Sequence, residues 1–409
     1  MVERFRSAYF YCIIILDLYL WNVSNEIKTF VMRALFETND TITMFQQLAN
    51  SLSAIDDVQS LMVFGCDNNE WLPEEIDPVL KALSKPVFGG VFPKIIYGQH
   101  AYNKGVLVVG LPYKPEILIV PELSNPEADY NRVLEASSDE WMNQEIAHND
   151  TIFVFVDGLS KCISSLVDAM FMAFGLDRNY IGGGAGSLSF RQKPCLITPQ
   201  GLIMDAGLIV KVPLRSSVGV AHGWQPISDS MKVTESERNT ILTLDWIPAF
   251  DRYRELVEAH SRRVFTTDNF FSIARGYPFG INKLGGEVVV RDPLNTDGGK
   301  GLVCVGEIPA GSFVHLLNGT KETLIAAAEK AALLARDSAP EGILENAPTL
   351  FIDCISRALF LEEGIDEELK AVSGKGELFG AMTLGEIANS GSDYLEFYNK
   401  TSVVSILID

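Results

Sequence analysis

Apolar residues recur along this chain with two spacings, and these spacings predict its secondary structure. Apolar positions at helical spacing predict helices, whereas short, nearly continuous apolar runs such as TIFVFV at Thr151–Val156 predict buried strands. Helices are predicted over Thr41–Ile55, Pro73–Leu83, Glu140–Ile146, Ser160–Phe174, Ala249–Arg262, Thr320–Arg336 and Asp366–Val372.

Strands occupy most of the other apolar segments. No clear internal repeat is visible, and helices alternate with strands in only part of the chain. This order predicts a mixed α/β fold with α+β character rather than a doubly wound sheet. Strands are predicted at Ile27–Leu35, Ser60–Phe64, Pro86–Ile96, Gly105–Leu111, Glu116–Val120, Thr151–Val156, Cys195–Thr198, Leu202–Leu214, Val218–His222, Lys232–Thr234, Ile241–Asp245, Glu287–Arg291, Gly301–Glu307, Phe313–Leu317, Leu350–Ile355, Phe379–Leu384 and Val403–Ile408.

The composition indicates a folded, acidic protein. Hydrophobic residues make up 47% of the 409 residues, which argues against disorder and allows two domains. The net charge is −20, from 33 basic and 53 acidic residues. Nucleic acids and anionic lipids require a basic face, so neither is expected as a partner. We expect a cytoplasmic protein with a solvated acidic surface.

The cysteine and histidine spacing predicts neither disulfides nor a metal site. The sequence has no CxxC pair and no histidine pair at metal-binding spacing. Buried, reduced thiols are expected, and neither a metal nor a cofactor is predicted. The six cysteines are Cys12, Cys66, Cys162, Cys195, Cys304 and Cys354.

The N-terminal residues 1–26 are predicted to be an extension outside the folded module. The apolar run Ala8–Trp21 is interrupted by Asp17. It is shorter than the roughly 20 residues that a membrane-spanning helix needs. A membrane anchor is therefore the less favoured interpretation.

The glycine-rich segment Gly182–Gly186 invites comparison with a phosphate-binding loop. Such a loop should follow a strand and open a helix. Here Asn179-Tyr180 precedes the glycines and Pro194 follows them. A strained turn or a close backbone approach is therefore favoured over phosphate binding.

Two arginines in the stretch Phe271–Pro293 are candidates for binding a small anion. Arg275 precedes the rigid corner that begins at Tyr277, and Arg291 ends a predicted strand. A guanidinium group offers a planar, bidentate fork to a carboxylate. Both arginines and Tyr277 are therefore candidate ligand-binding residues.

This stretch and several other motifs, taken in order, resemble the FIST family, named for F-box and intracellular signal transduction proteins. The N-terminal region contributes VFGGVFP and GGGAG, followed by AHGWQPIS and LDWIPA. The C-terminal region adds FIDCISR, GEI and FYNKT. These motifs begin at Val87, Gly182, Ala221, Leu244, Phe351, Gly385 and Phe397.

The resemblance covers roughly residues 28 to 409 and implies a ligand-binding sensory module. It implies an extension at 1–26, a FIST N-terminal domain at 27–264 and a FIST C-terminal domain at 265–409. Two intimately associated domains with mixed sheets flanked by helices are therefore expected. The family also implies a ligand such as an amino acid or a related metabolite.

Three further residues in the matching motifs are candidates for ligand binding. Arg357 follows an apolar strand, where it needs a carboxylate, a ligand or water. Glu386 lies in an apolar run, where a buried carboxylate must be paired; an arginine and a ligand ammonium group are both open as its partner. Asn399 has an amide suited to a ligand, although a turn is the favoured interpretation.

His222 and Cys354 are secondary candidates. His222 lies in a Gly- and Trp-rich corner, where a structural histidine is favoured over a catalytic one. Cys354 could be a nucleophile whose pKa Arg357 lowers, but a buried, inert thiol is favoured. These two residues support the alternative that the protein is an α/β hydrolase or transferase.

The favoured interpretation is a cytoplasmic sensory protein that binds a small ligand and is not an enzyme. Arginine would bind the carboxylate of an amino acid, and Glu386 would bind its ammonium group. At least two of the arginines are expected to point into one pocket within reach of Glu386. The output would lie in a partner protein such as a sensor kinase or a chemotaxis component. A third possibility is a scaffold protein whose arginines only link strands.

Overall fold

The apolar runs form strands and the amphipathic runs form helices at most of the predicted positions. The structure is a computed structural model that describes residues 32–143, 150–266, 268–283, 288–339, 346–389 and 394–408. The predicted extension at 1–26 lies outside the described residues. The described helices are α1 (Ile42–Ser53), α2 (Pro73–Ala82), α3 (Tyr130–Asn143), α4 (Ile163–Phe174), α5 (Ala249–Ser261), α6 (Phe270–Ala274), α7 (Lys321–Asp337), α8 (Ile355–Leu361) and α9 (Ile365–Val372).

The strands of the N-terminal half are short and mostly buried. They are β1 (Arg33–Glu37), β2 (Ser60–Cys66), β3 (Val87–Phe92), β4 (Lys94–Tyr97), β5 (His100–Tyr102), β6 (Val106–Leu111), β7 (Glu116–Pro121), β8 (Thr151–Asp157), β9 (Asn179–Ala185), β10 (Leu196–Thr198), β11 (Gly201–Ile203), β12 (Ala206–Val212) and β13 (Arg215–Ala221).

The remaining strands follow in the C-terminal half. They are β14 (Gln225–Pro226), β15 (Met231–Glu237), β16 (Thr240–Leu244), β17 (Ile247–Pro248), β18 (Phe279–Asn282), β19 (Val288–Arg291), β20 (Pro293–Thr296), β21 (Leu302–Cys304), β22 (Phe313–Asn318), β23 (Thr349–Cys354), β24 (Leu378–Thr383), β25 (Glu386–Asn389), β26 (Leu395–Tyr398) and β27 (Ser402–Ile408).

Three of the described sheets share one strand order, which reveals a threefold internal repeat. The orders are β1-β6-β2-β3-β10-β11, β7-β12-β8-β9-β25-β26 and β13-β27-β23-β24-β4-β5. In each sheet the third and fourth strands are parallel, and the other neighbours are antiparallel. The expectation that the chain has no clear repeat was wrong, because the repeats share pairing geometry more than sequence.

Each repeat contributes three strands, a hairpin and a return strand, and the hairpins are exchanged in a cycle. The first repeat (33–111) donates hairpin β4–β5 to the third sheet, and the second (116–212) donates β10–β11 to the first sheet. The third repeat (215–408) donates β25–β26 to the second sheet. The N- and C-terminal parts of the chain therefore complete one another's sheets.

A glycine at the centre of each parallel pair explains part of the glycine-rich sequence. Gly89, Gly182 and Gly380 pair with the central residues of β2, β8 and β23. A Cβ atom on any of them would lie 1.8–1.9 Å from the opposing carbonyl oxygen. The segment around Gly182 is therefore strand β9, so the alternative of a turn was wrong and that of a close backbone approach is confirmed.

An insertion of residues 222–319 distinguishes the third repeat. It lies between β13 and α7 and carries β14–β22, which form a fourth, nine-stranded sheet, together with α5 and α6. Helix α7 begins as predicted, because the hydroxyl of its N-cap residue Thr320 accepts a hydrogen bond from the Thr323 backbone. The predicted boundary between residues 264 and 265 falls inside this insertion, between α5 and α6.

The predicted fold class, a mixed α/β fold of two associated domains, is confirmed. Helix α9 lies where a helix was predicted, whereas helix α8 and strand β25 were not predicted from the apolar pattern. Arg357 lies in α8, and Glu386 begins β25. The exact domain boundaries stay a prediction.

Candidate functional site

A cavity of about 140 Å³ lies where the insertion meets the second and third repeats. The second repeat contributes the end of β8 and the first turn of α4, and the third contributes the end of β23 and both ends of hairpin β25–β26. The insertion contributes much of the remaining wall. The cavity lining includes the polar or ionisable residues Lys161, Ser164, Asp292, Cys304, Glu307, Cys354 and Asn399.

The repeat explains how Cys354 reaches this cavity. The strand registers place it at the position equivalent to Cys66 and Asp157, three residues beyond the residue that faces each central glycine. In the first repeat the Cys66 thiol donates to the Tyr102 carbonyl over 3.4 Å. Residues of the insertion, which has no counterpart in the first two repeats, wall the cavity beside Cys354.

A short sequence repeat supports this correspondence. Tyr102-Asn103-Lys104 begins at the last residue of β5, and the matching Tyr398-Asn399-Lys400 begins at the last residue of β26. Exposed Lys104 pairs with Asp40 at 2.7 Å, whereas Lys400 is fully buried and pairs with Asp292 at 3.1 Å. The copy of this motif in the third repeat is therefore inside the protein, paired with Asp292 of the insertion.

Three residues that line the cavity each have a buried polar atom that is unpaired within the described residues. The atoms are Oδ1 of Asp292, Oδ1 of Asn399 and the hydroxyl oxygen of Ser164. Asp292 and Asn399 are each only 1% exposed. Buried polar atoms are nearly always hydrogen-bonded, so three unpaired atoms in one cavity indicate a binding site for a polar molecule.

The second carboxylate oxygen of Asp292, Oδ2, has two partners. Its Oδ2 accepts from the Ser356 hydroxyl at 2.8 Å and lies 3.1 Å from the Lys400 ammonium group. Burial raises the pKa of Asp292, and Lys400 opposes that shift. Lys400 also donates to the Arg275 carbonyl over 2.8 Å and lies 5.2 Å from the ring of Trp224. The unpaired Oδ1 is therefore fixed in position.

Glu386 lies behind Cys354 and has partners other than arginine. Its Oε1 accepts from the Thr383 hydroxyl at 3.0 Å, and its Oε2 accepts from the Thr401 backbone N–H at 3.2 Å. Burial raises the pKa of Glu386 to about 8. Both oxygens of Glu386 are therefore hydrogen-bonded, and the cavity lining does not include this residue.

The thiol of Cys354 is poorly suited to nucleophilic attack in this environment. Burial raises its pKa well above the ordinary value, and the negative charge of Glu386 adds to that shift. A nucleophilic cysteine needs the opposite shift, because the thiolate is the reactive form. The cavity also contains Cys304, whose pKa burial raises as well. The five cysteines of the described residues are free and buried.

His222 lines a different, wider groove of about 560 Å³ beside α7. Its Nδ1 accepts a hydrogen bond from the Trp224 backbone N–H over 3.0 Å, which fixes the ring. Burial lowers the pKa of His222 to about 4, so the neutral ring predominates near neutral pH. The structure therefore does not bring His222 and Cys354 together in one cavity.

The predicted arginines do not converge on this cavity. Arg275 donates to the Leu359 carbonyl and to Glu362, each over 2.9 Å, near the surface. Arg291 is buried, and it donates to the Phe397 carbonyl over 2.8 Å and to Glu396 over 3.1 Å. Among the residues that the structure describes, the cavity lining includes neither side chain.

Arg357 is completely buried and forms the centre of an internal ion cluster. It donates to the His222 carbonyl over 2.7 Å, lies 3.0 Å from Asp353 and pairs with Glu368. The expectation that at least two arginines point into one pocket with Glu386 is therefore not met. Tyr277 is also elsewhere, because its hydroxyl lies 3.0 Å from His260 Nδ1.

Sequence reasoning missed Asp292 and Ser164, although it identified Cys354 and Asn399. Asp292 follows the apolar run VVV and Arg291, and the interpretation of this stretch as an anion-binding segment rested on its arginines. A carboxylate directly after an apolar, strand-like run was the signal that could have identified it, because a buried carboxylate needs a partner. Ser164 carried no such signal, because serine is common in the first turn of a helix.

Two further observations concern the described residues. They contain no group of three or more His, Cys, Asp or Glu side chains placed to hold a metal ion. In the same part of the chain, every helix is too short or too polar to span a membrane.

Comparison with known proteins gives one clear result. The model of the FIST N domain matches residues 59–247, and the model of the FIST C domain matches residues 249–389. No curated protein matches the chain. A solved structure titled "Crystal structure of Chorismatase at 1.08 Angstrom resolution" matches 94% of this chain and 100% of its own, at 9% identity and a TM-score of 0.33. That likeness is too low to carry an argument.

The two matched regions account for most of the chain. FIST domains are sensory domains of signal transduction. Both regions contribute to the cavity, since Ser164 lies in the first and Asp292 in the second. The chain therefore belongs to the FIST family.

Proposed function

We propose that this protein is a cytoplasmic sensor that binds a small, amino-acid-like ligand in the cavity between the insertion and the second and third repeats. Binding would be reported to a separate partner, such as a sensor kinase or a chemotaxis component. The observation that supports this proposal most strongly is the set of unpaired polar atoms on Asp292, Asn399 and Ser164.

The two unpaired carbonyl-type oxygens suit a ligand ammonium group. Oδ1 of Asp292 and Oδ1 of Asn399 are both acceptors, and the first belongs to a carboxylate. A hydrogen bond to a charged group contributes about 1.5–3 kcal/mol. The ammonium group of an amino acid supplies several donors and the matching charge. Asp292 and Asn399 therefore replace Glu386 as the proposed ammonium-binding residues.

The cavity volume limits the ligand to a small molecule. An engineered cavity of about 150 Å³ holds benzene, which has the same number of non-hydrogen atoms as alanine. The volume of about 140 Å³ therefore fits glycine, alanine or serine better than larger amino acids. Cys304 and Cys354 would be close to a small side chain.

The raised pKa of Cys354 favours binding without chemistry over the hydrolase or transferase alternative. A sensor should return its ligand unchanged. Mass spectrometry of the ligand recovered after incubation tests this point. Conversion of the ligand into a new product would favour the enzyme instead.

A pair of substitutions tests the site. Asn399→Leu removes the unpaired acceptor together with the hydrogen bond that the Asn399 amide donates to the Tyr398 carbonyl over 2.9 Å. The two effects on stability oppose each other, so we expect the thermal stability of the ligand-free protein to change little while ligand-induced stabilisation by glycine, alanine or serine is lost. The matched control is Asn389→Leu, because Asn389 is equally buried but accepts from the Tyr180 N–H and donates to the Arg178 carbonyl, each over 2.9 Å.

The control variant should be less stable and should keep ligand-induced stabilisation as long as it folds. Melting curves with and without ligand measure both properties. If Asn399→Leu binds these amino acids like the parent protein, the cavity is not the ligand site. If the parent protein itself shows no stabilisation, the proposed ligand class is wrong.

A further inference from the structure

We infer that the cavity recognises both charged ends of an α-amino acid, with the ligand carboxylate at the first turn of α4. This inference rests on the proposed function, which assigns only the ammonium group. The two ends of the ligand would then contact different parts of the protein. The second repeat would bind the carboxylate, while the insertion and the third repeat would bind the ammonium group.

The first turn of α4 provides hydrogen-bond donors at the cavity wall. The helix begins at Ile163, and its N-cap residue Cys162 makes no side-chain capping hydrogen bond. The first backbone N–H groups of a helix have no acceptor within it and favour an anion. Ile163 and Ser164 both line the cavity.

Two side chains at this turn add to the donor set. The Ser164 hydroxyl is buried and unpaired among the described residues, so it is free to donate to a carboxylate. Lys161 also lines the cavity, and it is solvent-exposed, which places a positive charge at the opening. The unpaired and deeply buried atoms of Asp292 and Asn399 line the same cavity and independently indicate a ligand.

Glu307 is an acidic residue that would repel a ligand carboxylate at the first turn of α4. It lines the cavity, it hydrogen-bonds to Ser165, and burial raises its pKa. Asp168 adds to that shift, whereas Arg291 and Arg238 oppose it. A neutral side chain at this position should therefore improve binding of the ligand carboxylate. Glu307→Gln is a gain-of-affinity variant that a purely structural role would not explain.

The test compares alanine with two analogues that each lack one charged end. Ethylamine retains the ammonium group, and propionate retains the carboxylate. Titration calorimetry on the full chain should show that alanine binds at least about tenfold more tightly than either analogue. The loss of one charged hydrogen bond weakens binding by about that factor or more.

Substitutions then assign the carboxylate end. Ser164→Ala and Lys161→Met should each weaken alanine binding by about tenfold and leave ethylamine binding unchanged, and Glu307→Gln should strengthen alanine binding. The matched control is Ser53→Ala, because the Ser53 hydroxyl is also buried and unpaired among the described residues but lies on α1, outside the cavity lining. It should leave both affinities unchanged.

The outcomes separate this inference from the proposed function. If ethylamine binds as tightly as alanine, or if Ser164→Ala and Lys161→Met weaken both ligands equally, the carboxylate assignment is wrong and the ammonium site stands. If none of the three compounds binds the parent protein, both the inference and the proposed ligand class fail.

Discussion

Two buried carboxylates at the candidate site differ in what compensates their charge. Asp292 has the Lys400 ammonium group at 3.1 Å, whereas Glu386 is hydrogen-bonded to the Thr383 hydroxyl and the Thr401 backbone. A cation compensates the loss of solvation better than neutral donors do. Burial therefore raises the pKa of Glu386 strongly, to about 8 from an ordinary value of 4.5.

This raised pKa predicts a specific pH dependence of stability. Between about pH 5 and pH 8 the unfolded chain releases the proton of Glu386 and the folded protein keeps it, so the free energy of unfolding should fall as the pH rises. Glu386→Gln cannot ionise and should exceed the parent by at least about 1 kcal/mol at pH 8, with little difference near pH 5.

Urea denaturation across this pH range measures the effect. The exposed Glu367→Gln is the control, and it should follow the parent curve at every pH. Parallel curves for Glu386→Gln and the parent would mean that Glu386 is ionised in the folded protein throughout the range.

The arginines show which part of the site sequence reasoning could not supply. The sequence correctly indicated that Arg357 needs acceptors, but the acceptors are Asp353, Glu368 and backbone carbonyls rather than a ligand. Backbone carbonyls carry no sequence signature, so this outcome was not visible in the chain. The motif that contains Asn399 did lead to the cavity.

At the scale of elements, the glycines of the parallel strand pairs mark close strand packing and not turns. Gly182 sits opposite Val154 in the parallel pair of the second repeat, and a Cβ atom there would lie 1.8 Å from the Val154 oxygen. The backbone of β8 or β9 would have to move to admit a methyl group. The same geometry at Gly89 and Gly380 makes this contact a recurring feature of the repeat.

Gly182→Ala should therefore destabilise the protein by about 1–3 kcal/mol, the usual cost of overpacking a buried site. Gly276→Ala is the control, because its new Cβ atom would meet nothing closer than the Phe360 ring at 3.4 Å. Chemical denaturation measures both variants. Equal stability of the two would show that β8 and β9 separate without cost.

Most elements were predictable from the sequence, whereas their arrangement was not. Apolar spacing located α4 and β8 closely, and the Thr320 cap located the start of α7. Strand neighbours depend on contacts between distant segments, such as Gly182 with Ile387. Local patterns do not encode such pairings, and the insertion further separates the elements of the third repeat.

At the scale of the whole molecule, the cyclic exchange of hairpins makes the repeats interdependent. Hairpin β4–β5 completes the sheet of the third repeat, and hairpin β25–β26 completes the sheet of the second. A fragment that lacks its donor would expose long strand edges and their unpaired backbone groups. The two family regions are therefore expected to fold together.

This interdependence can be tested by dividing the chain between residues 247 and 248. We expect each fragment expressed alone to lack a cooperative thermal transition, and we expect the co-expressed fragments to associate and recover one. Circular dichroism and size-exclusion chromatography measure these properties. A cooperative transition in the isolated N-terminal fragment would show that the exchanged hairpin is dispensable.

The unpaired atoms of the residues that line the cavity also have a consequence for protein turnover. Buried, unsatisfied groups lower the stability of the empty protein, and a bound ligand that satisfies them shifts the folding equilibrium by mass action. Cellular proteases degrade the unfolded fraction, so a small change in stability alters the steady-state amount of a protein several-fold. Under the proposed function, ligand supply would set the lifetime of this protein in the cell as well as its signalling state.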